Sequence, residues 1–166
     1  MLMPDSYAPH ISDISLDELH AQGFRGLIID LDNTLVGYRQ EKPTPEVSGW
    51  IDQALQRGLR VVIVSNNVRA WVEEVATHLK VSFVHKAAKP LPVGFGKALE
   101  LLQTGRKHTI VIGDQFFTDV LGAKLRGLKV ILTDPIVQRE HVAMRFVRRI
   151  EHVILRKRKG KRVEKV

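Results

Sequence analysis

The chain contains 166 residues with a mass of 18.8 kDa, a length typical of a single domain. It has no cysteine, which excludes disulfide scaffolds, thiolate zinc sites, iron–sulfur clusters and cysteine nucleophiles. No apolar run approaches the roughly 20 residues that span a bilayer, and the N-terminal sequence lacks a secretory signal pattern. We therefore expect a cytoplasmic protein.

The formal net charge of +8 is concentrated at one end of the chain. Residues 139–166 contain 11 of the 26 Lys and Arg residues but only 3 of the 18 acidic residues, whereas residues 1–138 contain 15 of each. Residues 1–138 are thus neutral and the positive excess follows them; we divide the chain into an N-terminal segment (1–23), a main domain (24–150) and a basic C-terminal tail (151–166).

Five short segments rich in valine and isoleucine predict buried parallel strands, at residues 27–30, 61–65, 81–85, 109–113 and 129–133. Segments with helical periodicity lie between them, at residues 45–57, 68–80, 93–103 and 118–126. The first helix has Thr44 as its predicted N-cap, Pro45 at its first position and Gly58 after its end. This alternation predicts an α/β fold, a Rossmann-like open parallel sheet of about five strands with helices on both faces.

The first predicted strand ends in two aspartates, Asp30 and Asp32, followed by Thr34. Strand alternation directs the two carboxylates to one side, where they repel each other unless a cation or a shared proton offsets the repulsion. The alternative is one capping and one solvated aspartate. In open α/β sheets ligands bind at the carboxyl ends of the strands, so this position is a candidate site.

The next two strands also end in polar residues. Ser65 and Asn66 follow the second strand, where a hydroxyl and backbone N–H groups at a helix start form an anion site; the alternative is a simple N-cap. Lys89 follows the third strand, and Pro90 disfavours the α conformation at Lys89, so the loop can direct the ammonium inward. The alternative is a solvated surface lysine.

The fourth strand ends at Gly113 and is followed by Asp114 and Asp119. Two carboxylates five positions apart across a strand-to-helix turn suit a divalent cation bound by carboxylate and water oxygens, as Mg²⁺ is. The alternative is that Thr118 or Asp119 caps the following helix.

Taken together, the four strand ends resemble the haloacid dehalogenase-like (HAD) phosphatases. LIIDLDNTLV resembles the DxDxT motif, Ser65 and Lys89 the second and third motifs, and GDQFFTD the GDxxxxD motif, and the resemblance extends over about residues 24–135. Within the superfamily the strings are most similar to the small subfamily IIIA phosphatases of the YqeG type, which also resemble mitochondrial phosphatidylglycerophosphate phosphatases. The resemblance implies an HAD-like catalytic domain over residues 24–150.

The resemblance also implies roles for the motif residues. Asp30 would be the nucleophile that forms an aspartyl-phosphate, and Asp32 the acid that protonates the leaving group and then the base for the hydrolytic water. Ser65, Asn66 and Lys89 would bind the phosphoryl oxygens, and Lys89 would also act in catalysis by neutralising charge.

Thr34 would steady the loop next to the bound phosphate. The resemblance implies Mg²⁺ as cofactor. Its expected ligands are Asp30, Asp114 and the main-chain carbonyl of Asp32, with Asp119 acting directly or through water.

The spacing between motifs leaves no room for a cap domain, because only 23 residues separate Ser65 from Lys89. An uncapped site leaves water exclusion to the substrate, which favours a large one. Tyr38, Phe116 and Phe117 are candidates for the mouth of the site, although both phenylalanines are equally suited to the core.

We expect a Mg²⁺-dependent phosphate monoester hydrolase that acts on phosphatidylglycerophosphate or another large or lipid phosphate. Alternatives are a phosphoprotein or nucleotide phosphatase and, from another class, an RNA- or ribosome-associated binding protein with a regulatory HAD site. The basic tail suits an anionic membrane surface or RNA, which implies a cytoplasmic protein that is peripheral at the membrane in the first case. Apolar residues at helical spacing within residues 142–154 also allow a docked helix followed by a solvated end.

Overall fold

A single six-stranded sheet forms the centre of the protein. The computed structural model describes residues 2–38 and 40–137, and all of its paired strands run parallel. The strands are β1 (Ser6–Ala8), β2 (Gly26–Ile29), β3 (Arg60–Val64), β4 (Ser82–Val84), β5 (Thr109–Gly113) and β6 (Lys129–Thr133), in the spatial order β1-β6-β5-β2-β3-β4. The predicted fold class is confirmed, but the count of about five strands is one short.

The helices cover both faces of the sheet. They are α1 (Leu16–Ala21), α2 (Pro45–Gln56), α3 (Arg69–Leu79), α4 (Pro92–Leu102) and α5 (Leu121–Leu125). Leu27 and Ile29 of β2 belong to a core shared with α1, α2 and α3, whereas Ile28 belongs to a second core shared with α4 and α5. Strand β2 is therefore buried and without a polar side chain at every position, because each face of the sheet is covered by helices.

Helix α2 shows how local sequence sets the element bounds. The Thr44 hydroxyl accepts a hydrogen bond from the Val47 N–H at 3.3 Å, and Pro45 occupies the first turn, where no backbone donor is lost. Gly58 follows the end of the helix with φ of +76°, a conformation that glycine adopts without strain. The predicted start of this helix is confirmed, and its end lies one residue earlier than predicted.

The strand that the sequence analysis missed is β1, which pairs with the edge strand β6 through the register Ser6–Ile131 to Ala8–Thr133. It has only three residues, of which two are exposed, so it carries no apolar run that would signal a strand. The neighbouring residues of the N-terminal segment are part of the fold, because Leu16 and Leu19 of α1 lie in the first core.

Two further expectations concern the ends of elements. The predicted helix 118–126 begins instead as one turn of π-helix (Phe116–Val120) that continues into α5. The predicted helical stripe within residues 142–154, the 151–166 tail and the domain end at residue 150 lie outside the described residues.

The connections between the site strands contain no inserted domain in the described ranges. Only α3 and β4 lie between Ser65 and Lys89, which confirms the absence of a cap at this position. Across residues 2–38 and 40–137, none of the helices has the length and apolar character needed to cross a membrane.

A pair of leucine substitutions tests the placement of the core. Leu27 is completely buried between β2 and the α1–α3 face, so Leu27→Ala is expected to lower the free energy of unfolding by about 2–5 kcal/mol. Leu101 is 50% exposed on α4, and Leu101→Ala should change it by less than about 0.5 kcal/mol. Urea denaturation measures both, and equal losses would contradict this burial pattern.

Candidate active site

The four predicted polar clusters lie at one edge of the sheet. They follow β2, β3, β4 and β5, which are neighbours in the order β5-β2-β3-β4 and all run parallel, so their carboxyl ends meet. Strand β2 is the point from which the chain first extends to β3 and β4 and later returns to β5 on the other side. This is the switch point at which open α/β sheets bind ligands.

Asp30 is the first residue beyond β2 and is almost completely buried. Its backbone N–H donates to the Ile112 carbonyl at 2.9 Å, so the neighbouring strand still positions it. Its two carboxylate oxygens have different partners: Lys89 Nζ donates to Oδ1, and the Thr34 hydroxyl donates to Oδ2 at 3.3 Å. Thr34 therefore orients Asp30 from within the same loop.

The buried ammonium of Lys89 joins two loops of the site. Besides Asp30, Lys89 Nζ donates to Asp119 Oδ1 at 2.7 Å. Burial alone lowers the pKa of Lys89, but the carboxylates of Asp119 and Asp30 outweigh it and raise that pKa above its usual value. Lys89 is therefore a permanent positive charge within the site.

The loop that carries Lys89 is fixed by Asn66. The Asn66 side chain accepts from the Lys89 backbone N–H at 2.7 Å and donates to the Lys89 carbonyl at 3.0 Å. The Ala87 N–H also donates to the Ser65 carbonyl at 3.0 Å, and the Lys89–Pro90 peptide bond is cis. The structure thus gives the Asn66 side chain a role in positioning Lys89, in addition to the phosphate contact expected from the sequence.

Asp114 and Asp119 complete a group of three carboxylates. One oxygen from each of Asp30, Asp114 and Asp119 lies within 4.8 Å of the others. Asp119 is buried and its Oδ2 accepts from the Gln115 N–H at 3.1 Å, whereas Asp114 Oδ1 is buried with no hydrogen-bond partner in the described part of the chain. A buried carboxylate oxygen without a donor is a ready ligand for a cation.

Close packing at a glycine brings these groups together. A Cβ atom on Gly113 would lie 2.5 Å from the Asp119 carboxylate, so any other residue would displace Asp119. A Cβ on Gly94 of α4 would similarly lie 2.5 Å from the Ala87 carbonyl in the Lys89 loop. Both glycines permit close approaches that larger residues would prevent.

The carboxylate cluster has altered proton affinities. Burial raises the pKa of Asp30 to about 7, opposed by Lys89 and assisted by the carboxylate of Asp119. Burial also raises the pKa of Asp114 to about 8, with repulsion from Asp30 and Asp119 adding to the effect. Three carboxylates share one lysine, so without a further cation the cluster retains protons near neutral pH that a divalent cation would displace.

Asp32 has hydrogen-bond partners of its own, outside this cluster. Its Oδ2 accepts from the Ser65 hydroxyl at 3.1 Å, and its Oδ1 accepts from Asn67 Nδ2 and from Trp71 Nε1, both at 3.3 Å. The two aspartates of the first motif therefore have separate partners, and the Asp32 side chain is not among the three clustered carboxylates. The expected metal contact from its main-chain carbonyl stays a prediction.

Asn67 and Trp71 were not identified from the sequence as site residues. Trp71 lies in the first turn of α3, the helix that begins just after Asn67. A tryptophan in an amphipathic helix usually indicates core packing. Its location shortly after the strand that carries Ser65 is therefore the one feature of the sequence that could have marked Trp71 as a site residue. The requirement for glycine at position 113 was also visible only in the structure.

Exposed apolar side chains lie in the segments that follow the four site strands. We call this group the apolar rim: Tyr38, Val68, Leu91, Val93 and Phe117. The two candidate phenylalanines differ, because Phe116 packs against the second core and Phe117 is 63% exposed while contacting the edge of Phe116. Of the two predicted alternatives, core packing therefore applies to Phe116 and exposure to Phe117.

The sequence matches a family model and several known proteins. The model of haloacid dehalogenase-like hydrolases matches residues 16–127. Probable phosphatase YqeG of Bacillus subtilis (strain 168) is 36% identical over 160 residues, which cover 95% of this chain and 93% of that protein. Phosphatidylglycerophosphate phosphatase 1, chloroplastic/mitochondrial, of Arabidopsis thaliana is 27% identical over 172 residues, covering 92% of this chain and 49% of that protein.

A solved structure shows the same fold at low sequence identity. The crystal structure of an uncharacterized protein from Listeria monocytogenes serotype 4b superposes with a TM-score of 0.56 at 17% identity, over 72% of this chain and 85% of that one. The predictions of the family and of a phosphatase are confirmed by the family model and the similarity to YqeG. The chain, with its motif residues at one edge of a parallel sheet, belongs to the haloacid dehalogenase-like hydrolase family.

Proposed function

We propose that the protein is a Mg²⁺-dependent phosphate monoesterase that acts through an aspartyl-phosphate on Asp30. The observation that supports this most strongly is the buried arrangement in which Lys89 joins Asp30 and Asp119 beside the unpartnered oxygen of Asp114. One nucleophile, one fixed cation and a carboxylate group suited to a divalent metal are the components that phosphoryl transfer requires.

Asp30 is the nucleophile in this proposal because Lys89 and Thr34 orient its carboxylate. An Asp30 oxygen forms a bond to phosphorus while the bond between phosphorus and the ester oxygen breaks. The leaving oxygen takes a proton from Asp32. Water then attacks phosphorus and gives its proton to Asp32, and cleavage of the bond between Asp30 and phosphorus releases inorganic phosphate.

Lys89 and Ser65 bind the phosphoryl group. The Lys89 ammonium has three N–H donors, of which Asp30 and Asp119 accept two, so the third can donate to a phosphoryl oxygen. Ser65 supplies a hydroxyl, and its neighbour Asn66 holds the Lys89 backbone in place. Fixed donors of this kind stabilise charge on the transferring group without reorganisation.

The residues present fit Mg²⁺. The donors are carboxylate oxygens, which this hard cation prefers, and the Asp114 oxygen lacks any other partner among the described residues. Asp30, Asp114 and Asp119 would hold the ion together with the Asp32 carbonyl. When bound, Mg²⁺ would neutralise negative charge on the phosphoryl oxygens and on the carboxylates.

The proposed substrate is a large or lipid phosphate such as phosphatidylglycerophosphate. The open site and its apolar rim favour a substrate that itself excludes water. The Arabidopsis relative carries that substrate in its name. The excess positive charge of residues 139–166 would attract the anionic membrane surface in which such a lipid phosphate lies.

Replacing the nucleophile tests the covalent step. Asp30→Asn should lower phosphate release by at least about 10³-fold, because an amide cannot form the intermediate. Beryllium fluoride with Mg²⁺ should inhibit the unchanged protein as a mimic of the phosphorylated aspartate. The exposed Asp52→Asn serves as the matched control and should retain full activity. Substantial turnover by Asp30→Asn would exclude Asp30 as nucleophile.

Removing the metal should affect both activity and stability. Hydrolysis should stop in EDTA, and Asp114→Asn should raise the Mg²⁺ concentration required. The folded protein binds protons at Asp30 and Asp114 more tightly than the unfolded chain, with pKa values of about 7 and about 8. This contribution to stability is complete below about pH 4 and is lost progressively by about pH 8.

The Tm of EDTA-treated protein should therefore decrease between about pH 6 and about pH 8, and Mg²⁺ should oppose the decrease. Asp114→Asn should reduce the effect of Mg²⁺ on the Tm. Full activity of metal-free protein, or a Tm that Mg²⁺ leaves unchanged at high pH, would refute the proposed metal site.

Truncation tests the membrane-presented substrate. Removing residues 156–166 deletes seven Lys and Arg residues and one Glu, and should weaken binding to anionic vesicles by at least about tenfold. Hydrolysis of lipid phosphates in those vesicles should slow, and added salt should mimic the loss. Hydrolysis of p-nitrophenyl phosphate is the control and should hardly change. Equal vesicle binding and lipid turnover with and without these residues would rule out a membrane role for them, and RNA co-sedimentation tests the alternative partner.

A further inference from the structure

The carboxylate of Asp32 is held by donors of two kinds on its two oxygens. The Ser65 hydroxyl donates to Oδ2, whereas the side-chain N–H groups of Asn67 and Trp71 both donate to Oδ1. The Asn67 donor comes from the β3–α3 connection and the Trp71 donor from the first turn of α3. Asp32 is thus fixed by groups that do not touch the Asp30 cluster in any hydrogen bond among the described residues.

The donors on Oδ1 determine where a proton can reside. A carboxyl oxygen has two lone pairs, and at Oδ1 both face N–H groups, from Asn67 and Trp71. A protonated Asp32 would bring its own hydrogen against those N–H groups if it carried the proton on Oδ1. The proton therefore belongs on Oδ2, the oxygen next to Ser65.

Substrate binding changes the partner of Ser65. Its hydroxyl has a single proton, which it directs to Asp32 while its oxygen accepts from the Asn67 backbone N–H at 3.0 Å. A phosphoryl oxygen bound by Ser65 would take that proton away from Asp32. Asp32 would then be held through Oδ1 alone, and Oδ2 would be released on the side of the bound phosphate.

We propose that Asn67 and Trp71 are positioning residues that hold Asp32 through Oδ1, so that Oδ2 carries the proton to the leaving oxygen of the ester. The inference rests on the proposed function, in which Asp32 protonates that oxygen. Trp71 suits the role because its ring packs against the first core, which fixes the direction of its N–H.

The readout is the dependence of the rate on the leaving group. p-Nitrophenyl phosphate and phenyl phosphate have nearly the same shape, but phenol is a much weaker acid than p-nitrophenol, so its departure needs the proton more. The measured quantity is the ratio of kcat/KM for the first substrate to that for the second. kcat/KM reports the steps through loss of the leaving group, so slow hydrolysis of a phosphorylated enzyme does not hide the effect.

Three variants and one control make the test. Trp71→Phe removes one N–H and keeps an aromatic ring, Asn67→Ala removes the other, and Asp32→Asn removes the acid itself. Trp50→Phe is the matched control, because the Trp50 N–H donates to the Ile14 carbonyl at 3.0 Å in the core, away from the site. Circular dichroism establishes that each variant is folded before its kinetics are compared.

We expect the ratio to rise by about tenfold in Trp71→Phe and in Asn67→Ala, and by more in Asp32→Asn, since general acid catalysis contributes about 10²–10⁴-fold. The ratio should stay unchanged in Trp50→Phe. If Asp32→Asn raises the ratio but the folded Trp71→Phe and Asn67→Ala variants slow both substrates equally, or slow neither, the positioning role is overturned while the acid stands. If Asp32→Asn leaves the ratio unchanged, the acid role in the proposed function fails and this inference fails with it.

Discussion

The bridge from Lys89 to Asp30 and Asp119 is the interaction on which the site depends. Removing an ammonium and two carboxylates from water is unfavourable by several kcal/mol per ion, and their attraction offsets this only where additional hydrogen bonds satisfy each group. Here Thr34 and the Gln115 N–H supply those bonds. Buried ion pairs of this kind contribute little to the net stability of a fold. The position of this bridge in the site is therefore better explained by chemistry than by stability.

The bridge also links the two halves of the sheet. Asp30 follows β2 and Asp119 follows β5, while Lys89 belongs to the loop after β4, which is separated from β2 by β3. Asn66, after β3, holds the Lys89 backbone and so spans that separation. Each of the four strand ends therefore contributes one part of a continuous hydrogen-bonded group, and the parallel sheet sets their spacing.

The two aspartates of the first motif have the same side chain but different surroundings. Asp30 lies among buried carboxylates and one lysine, where its pKa is raised to about 7. Asp32 lies among N–H and hydroxyl donors from the end of β3 and the start of α3. Environment assigns separate tasks to such pairs of carboxyl groups. Asn33, with φ of +67°, lies between them in a tight loop closed by its N–H bond to the Val36 carbonyl at 2.7 Å.

The sequence alone determined most of the elements and the motif residues, because these depend on local patterns. Apolar runs gave β5 and β6 their bounds, Thr44 and Pro45 gave the start of α2, and the polar residues at strand ends marked the edge where the site lies. Only the tertiary structure decided which of these side chains meet, and it added β1, which is too short and exposed to signal itself. The pairing of Lys89 with Asp119 and of Trp71 with Asp32 joins residues far apart in the chain. Such pairings depend on the order of the strands and on how the helices pack against the sheet. Hydrophobic periodicity and capping patterns describe only neighbouring residues and do not predict which distant residues meet.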